Sequence, residues 1–139
     1  MERLKVLVAD DDLDILKEME KRISAEGYDV ITARDGEESW QKIQKDSPDV
    51  ILLDLTMPKM DGLTILKNLR ENPPSQKWQP VIIVSGRAEL DDIHKGFSME
   101  ADHYLTKPCK MEDILKGIRL MANLIPQRKT EEELKRQEK

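Results

Sequence analysis

The stretch LKVLVADDDLDIL, residues 4–16, joins an aliphatic run directly to a cluster of carboxylates. The run Leu4–Ala9 has the length of a strand, and its nearly continuous apolar character is typical of a parallel strand covered on both faces. Four of the five residues at positions 10–14 are aspartates, although a helix start needs only one of them as a cap. The stretch therefore predicts a strand, a site that uses acids, and then a helix.

The same order of elements continues along the chain. Further strands are predicted at Tyr28–Ala33, Asp49–Leu53, Pro80–Val84 and Asp102–Thr106. Segments of helical period lie between and after the strands, at Leu13–Glu26, Gly36–Lys45, Leu63–Arg70, Ala88–Met99 and Met111–Leu124. The alternation predicts an α/β fold of the (βα)5 type, a doubly wound parallel five-stranded sheet with helices on both faces.

Length and composition restrict the class of protein. A chain of 139 residues, 38% hydrophobic and 37% charged, predicts one globular domain. No apolar run approaches the ~20 residues of a membrane span, and the N-terminus lacks the layout of a signal peptide. The single cysteine, Cys109, fits a reducing cytoplasm. The net charge of -5 argues against direct binding of nucleic acid. We therefore expect a cytoplasmic protein without membrane or nucleic-acid contacts.

The C-terminal segment differs from the rest in composition. PQRKTEEELKRQEK, residues 126–139, is dense in charges of both signs, and Leu134 is its only large apolar residue. We expect residues 1–125 to form the domain and residues 126–139 to form a charged helical tail or linker. A frayed solvated helix and the start of a longer linker or coiled coil both fit this composition, because one apolar residue cannot establish a heptad.

Polar residues follow the strands at the edge where such sheets bind ligands. Three close carboxylates would raise one another's pKa unless a cation neutralises them, and Mg²⁺ (with Mn²⁺ as a substitute) suits oxygen ligands in an open site. An ammonium and a hydroxyl are what a transferring phosphoryl group needs around its oxygens. No glycine-rich nucleotide loop is present. The residues concerned are Asp10, Asp11, Asp54, Ser85 and Lys107.

The chain resembles the receiver domain of two-component response regulators over roughly residues 3–124. The matching motifs are VLVADDD (6–12), DLTMPKMDG (54–62), VIIVSGRAE (81–89) and YLTKP (104–108). The resemblance implies the flavodoxin-like receiver fold with strand order 2-1-3-4-5.

The resemblance also implies roles for particular residues. Asp54 is expected to be the phosphoacceptor, and Asp10, Asp11, Asp54 and the backbone carbonyl of Thr56 are expected to hold Mg²⁺. Lys107 and Ser85 are expected to contact the phosphoryl group, and Tyr104 to be the aromatic switch residue. Three secondary roles follow: Thr56 and Arg87 would modulate the lifetime of the phosphorylated state, and Pro108 would follow a cis peptide bond.

The implied function is a signalling switch rather than a turnover enzyme. A sensor histidine kinase or histidine phosphotransferase would supply the phosphoryl group from a phosphohistidine. The surface formed by the helix 88–99, the last strand and the helix 111–124 would then change toward a target protein or a C-terminal output domain. Phosphorylation-dependent homodimerisation through that surface is a further implication, as is self-catalysed dephosphorylation.

Two other classes fit the residues less well. A haloacid-dehalogenase-like phosphatase places its nucleophile in Asp-x-Asp after the first strand, whereas this chain has three contiguous aspartates there and an isolated one, Asp54, after the third strand. A flavodoxin-like cofactor binder needs a phosphate-binding loop, which this sequence lacks.

Several residues depart from the family pattern or have structural explanations. Glu100 stands where receivers usually have glycine, Cys109 where they often have phenylalanine, and Ser85 where threonine is commoner. Asp12 and Asp14 are expected to support the start of the first helix, where carboxylates meet free backbone N–H groups.

Overall fold

The computed structural model describes the backbone of residues 3–86 and 90–137 and the side chains of residues 3–86 and 92–126. The strands are β1 (Lys5–Ala9), β2 (Asp29–Ala33), β3 (Val50–Leu53), β4 (Val81–Ser85) and β5 (His103–Thr106). The helices are α1 (Leu13–Ala25), α2 (Gly36–Asp46), α3 (Gly62–Glu71), α4 (Leu90–Ser98) and α5 (Met111–Gln137). All four strand pairings are parallel, in the order β2-β1-β3-β4-β5. The predicted fold class and strand order are confirmed.

The sheet lies between two apolar layers, because successive side chains along a strand point to opposite faces of the sheet. Leu7 and Ala9 of β1 pack into the layer that includes α3, whereas Val6 and Val8 pack into the layer that includes α1 and α5. All four residues of β3 are buried. The central strands are therefore apolar on both faces, which explains why they appear in the sequence as continuous rather than alternating apolar runs.

Three helices begin at an aspartate that follows a strand or turn. The carboxylate of Asp12 accepts hydrogen bonds from the backbone N–H groups of Asp14 (3.0 Å) and Ile15 (3.3 Å) at the start of α1. Asp35 and Asp61 cap α2 and α3 in the same way. The capping role predicted for Asp12 is confirmed.

Helix α4 ends in a Schellman motif centred on Glu100. The N–H of Ala101 donates to the carbonyl of Gly96 (3.0 Å), and the N–H of Glu100 donates to that of Phe97 (3.0 Å). Glu100 itself has a φ of 68°. The chain thus keeps the left-handed helix end that glycine usually provides, with a side chain in its place.

Helix α5 extends well beyond its predicted end. The sequence predicted a helix over 111–124, whereas the observed helix continues through Pro126 to Gln137. The Glu, Lys, Arg and Gln residues after Pro126 favour helix, and the helix continues although the proline removes one backbone N–H. None of the helices in the described part of the chain is long and apolar enough to cross a membrane.

Candidate functional site

Three carboxylates converge at the carboxyl edge of the sheet. Ala9 of β1 lies opposite Leu53 of β3, so the residues that follow these strands are neighbours. Oxygen atoms of Asp10, Asp11 and Asp54 lie within 4.8 Å of one another. Asp10 and Asp54 are only 2% and 6% exposed, whereas Asp11 faces solvent. The arrangement is a shallow oxygen-rich site with two buried members and one accessible member.

The ammonium of Lys107 bridges the two buried carboxylates. Its Nζ donates to Oδ2 of Asp10 at 2.6 Å and to Oδ2 of Asp54 at 3.1 Å. The backbone N–H of Lys107 also donates to the carbonyl of Ser85 at 2.8 Å, and its peptide bond to Pro108 is cis. The end of β5 therefore holds the lysine close to residues that follow β1, β3 and β4.

Backbone N–H groups orient the other oxygens of the same carboxylates. The N–H of Asp12 donates to Oδ1 of Asp10 at 2.9 Å, and the N–H of Thr56 donates to Oδ1 of Asp54 at 3.1 Å. Each buried carboxylate thus has one oxygen bound to the backbone and the other bound to the ammonium of Lys107. Two such constraints hold each carboxylate group in one orientation.

Burial and charge change the acidity of this site in opposite ways. Burial raises the pKa of Asp54, and Asp10 adds to the increase, while the N–H of Thr56 and the ammonium of Lys107 partly counteract it. For Lys107, burial by itself would lower the pKa, but the hydrogen bonds to Asp10 and Asp54 outweigh it and the pKa is raised. The lysine is therefore a permanent cation at neutral pH.

Gly62, at the start of α3, approaches the backbone of Asp54 too closely for any side chain. A Cβ at Gly62 would collide with the carbonyl oxygen of Asp54 and would lie 2.8 Å from Cα of Leu55. In the sequence, the dipeptide Asp61-Gly62 predicts only a turn and does not reveal this contact with the end of β3. The DG dipeptide was the available signal, but the need for glycine arises from the approach of α3 to the end of β3.

The remaining predicted site residues lie nearby or outside the described residues. Ser85 is fully buried at the end of β4, and Thr56 is exposed beyond β3. Tyr104 of β5 is partly buried, with its ring centroid 6.5 Å from that of the exposed Phe97 on α4. Arg87 lies outside the described residues.

The donor set of the cluster fits a hard divalent cation. Its members offer only oxygen atoms, and two of them are carboxylates that the sheet has removed from water. Mg²⁺ takes such oxygens while keeping several waters, and an exposed member such as Asp11 leaves one side open for them. Lys107, on the side of Asp10 and Asp54, adds a fixed positive charge where an anionic group on Asp54 would be stabilised.

The sheet order, the cluster of three carboxylates and the bridging lysine together define a class of protein. Comparison with known families gives the same class. The family model of the response regulator receiver domain matches residues 6–119. The chain therefore belongs to the response regulator receiver domain family, a family of signalling switches in two-component systems.

Curated relatives include longer regulators. The chain is 38% identical over 111 residues to the alkaline phosphatase synthesis transcriptional regulatory protein PhoP of Bacillus subtilis, covering 79% of this chain and 45% of that protein. It is 34% identical over 117 residues to the transcriptional regulatory protein PrrA of Mycobacterium tuberculosis, covering 84% of this chain and 49% of that protein. The chain thus spans about half the length of the curated relatives it matches.

Solved receiver domains are similar over nearly their whole length. The Francisella response regulator 1452 receiver domain is 34% identical with a TM-score of 0.79, over 86% of this chain and 96% of that chain. A CheY-like receiver domain protein from Methanospirillum hungatei is 27% identical with a TM-score of 0.84, over 91% of this chain and 99% of that chain. The described fold is therefore that of a whole receiver domain.

Proposed function

We propose that this chain is a phosphorylation-controlled switch in which Asp54 accepts the phosphoryl group. The observation that carries the proposal is the contact of Asp54 with Lys107 inside a cluster of three aspartates. A carboxylate with one oxygen held by a backbone N–H and the other beside an ammonium is positioned as a nucleophile whose product charge is already compensated.

Mg²⁺, or Mn²⁺ in its place, is the proposed cofactor. Asp10, Asp11, Asp54 and the backbone carbonyl of Thr56 would hold it, and it would supply charge neutralisation for the phosphoryl oxygens. The three clustered carboxylates support this assignment, because their mutual repulsion falls when a divalent cation binds.

The phosphoryl donor is proposed to be the phosphohistidine of a sensor histidine kinase or histidine phosphotransferase. A carboxylate oxygen of Asp54 forms the new P–O bond while the P–N bond of the donor breaks, and its electron pair returns to the imidazole. Lys107 then binds a phosphoryl oxygen. The sequence has no nucleotide-binding loop, which favours a protein phosphodonor over a nucleotide. This exchange is assigned to the cytoplasm, where a lone thiol such as Cys109 stays reduced.

The proposed output is a change in the surface formed by α4, β5 and α5. Ser85 would move toward the phosphoryl group and the partly buried Tyr104 would turn inward, changing its contact with Phe97. Thr56 and Arg87 are proposed to control water access and hence the rate of self-catalysed dephosphorylation. The altered surface would contact a target protein or a second copy of the domain.

The proposed organisation is a receiver domain at residues 1–125 and a charged helical tail or linker at residues 126–139. Helix α5, which continues to Gln137, supports the helical character of this tail or linker. The relatives are transcriptional regulators about twice as long, which favours an output domain or a separate target protein as the recipient of the signal. In this arrangement the receiver itself does not bind nucleic acid.

Acetyl phosphate with Mg²⁺ tests the function directly. We expect intact-protein mass spectrometry to show one added phosphoryl group, and Asp54→Asn to prevent it. Asp61→Asn is the matched control, because asparagine caps α3 as well as aspartate does and the phosphoacceptor is untouched. Equal modification of Asp54→Asn and the wild type, or sustained hydrolysis of p-nitrophenyl phosphate, would favour a phosphatase instead.

A further inference from the structure

A cavity of about 690 Å³ lies between α1 and the segment that joins β5 to α5. Its walls are mostly apolar and include Ile15, Met19, Val84, Pro108, Cys109 and Ile114. Small-molecule sites in proteins are typically concave, mostly apolar and roughly 300–1,000 Å³ in volume, with a few polar groups at the wall. The cavity has the size and lining of such a site.

Cys109, a residue with a small side chain, lies in the wall of this cavity. Cys109 is partly buried and packs at the edge of the layer formed by α1 and α5. Burial raises the pKa of its thiol, so at neutral pH the thiol is uncharged and adds only a weakly polar group to the cavity lining. We expect a bulky aromatic residue at position 109 to reduce the open volume, because Cys109 lines the cavity.

The charges around the cavity are predominantly negative. Asp14 and Glu18, one helical turn apart on α1, line one side, and both are exposed. Among the described residues that line the cavity, Lys107 is the one cation, and its ammonium is bound by Asp10 and Asp54. An incoming group therefore meets an apolar interior and an acidic rim.

From this complementarity we infer that the cavity is a binding site for an organic cation with an apolar body. The apolar body would lie against Met19, Val84 and Ile114, and the cationic group would face Asp14 and Glu18. An organic anion of the same shape is disfavoured, because the described lining offers it two carboxylates and an ammonium, that of Lys107, which Asp10 and Asp54 already bind. The inference does not depend on phosphorylation of Asp54.

A pair of probes that differ in charge tests the site. 2-Naphthylmethylammonium and 2-naphthylacetate have similar aromatic bodies and opposite charges. We expect the cation to produce saturable ¹H–¹⁵N NMR shifts at Ile15, Met19 and Ile114, and the anion to bind at least tenfold more weakly. Equal binding of both probes, no saturable binding of the cation, or shifts centred on α4 and β5 would overturn the inference.

Variants of the full chain locate the binding. Cys109→Phe should fill the cavity and weaken binding of the cation at least tenfold. The double variant Asp14→Asn with Glu18→Gln, at two exposed positions, should weaken binding of the cation roughly three- to tenfold. Glu20→Gln, also exposed on α1 but outside the cavity, is the matched control and should leave the affinity unchanged. If the double variant binds the cation as tightly as the control does, the acidic rim has no part in recognition and the inference is wrong.

Discussion

Lys107 donates a 2.6 Å hydrogen bond to Asp10, a residue 97 positions earlier in the chain. The bond is shorter than the 3.1 Å bond from the same ammonium to Asp54. One cation thus serves two carboxylates that the sheet has buried, and removing it would leave both without their main compensating charge. The position of Lys107 connects the strand-end acids to the segment that leads into α5.

Lys107→Ala is expected to allow phosphorylation of Asp54 but to prevent the structural change in α4 and β5 that follows it. The acids remain, so acetyl phosphate with Mg²⁺ should still modify Asp54. The ammonium that would hold the phosphoryl group is lost, so the NMR shift changes of α4 and β5 that accompany beryllofluoride binding in the wild type should largely disappear. Lys17→Ala, an exposed lysine on α1, is the control. A variant at Lys107 that retains the full shift pattern would contradict the proposed role.

Asp54→Asn is expected to stabilise the protein at neutral pH. Because burial raises the pKa of Asp54, its ionised form is less favourable in the folded chain than in the unfolded chain. This penalty is present above the folded-state pKa and disappears as the pH falls through that pKa toward the unfolded value. Urea unfolding in EDTA at a series of pH values should therefore show the variant to be more stable near pH 7, with a difference that shrinks on acidification. A difference that grows toward low pH would show the opposite shift.

Asp12→Ala is expected to affect stability alone. The substitution removes the side-chain acceptor for the N–H groups of Asp14 and Ile15, and the loss of a helix cap costs about 1 kcal/mol. Mg²⁺-dependent phosphorylation should continue, because Asp12 contributes only its backbone N–H to Asp10 and alanine retains that group. Urea unfolding and the acetyl phosphate assay measure the two effects separately.

Asp11→Ala is expected to show the opposite behaviour. Asp11 is exposed and is the accessible member of the carboxylate cluster, so its loss should change metal-free stability little. The increase in melting temperature on addition of Mg²⁺, and phosphorylation itself, should be lost. If Asp11→Ala retains the Mg²⁺ response while Asp12→Ala loses it, the division of roles between these neighbours is wrong.

Glu100→Gly is expected to raise the free energy of unfolding. Glu100 has a φ of 68°, and a left-handed conformation costs a residue with a Cβ on the order of 1 kcal/mol. The carbonyl of Glu100, which accepts from Nε of Arg70 at 3.1 Å, is unaffected by the change. Glu100→Ala separates the backbone effect from the charge, since alanine has the same backbone cost. Equal stabilisation by glycine and alanine would show that the charge, not the conformation, is responsible.

The amino-acid sequence by itself determined the order of elements and the positions of the strand-end acids. Buried strands and amphipathic helices are defined by apolar spacing within some ten residues, and Asp12 caps its helix through its own neighbours. These local patterns therefore predicted the five βα units and the first residue of α1 correctly. The helix predicted over 111–124 continues through Pro126 to Gln137, because the residues after the proline favour helix.

Only the tertiary structure decided which of these residues meet, and how. The bridge from Lys107 to Asp10 and Asp54, the approach of Gly62 to the backbone of Asp54, and the cavity beside Cys109 all join residues that are distant in the chain. Such contacts depend on how strands and helices pack, and packing is the sum of many side-chain volumes rather than a property of any one segment. The sequence could therefore indicate the members of the site, while their distances, burial and pKa shifts arise only from the folded arrangement.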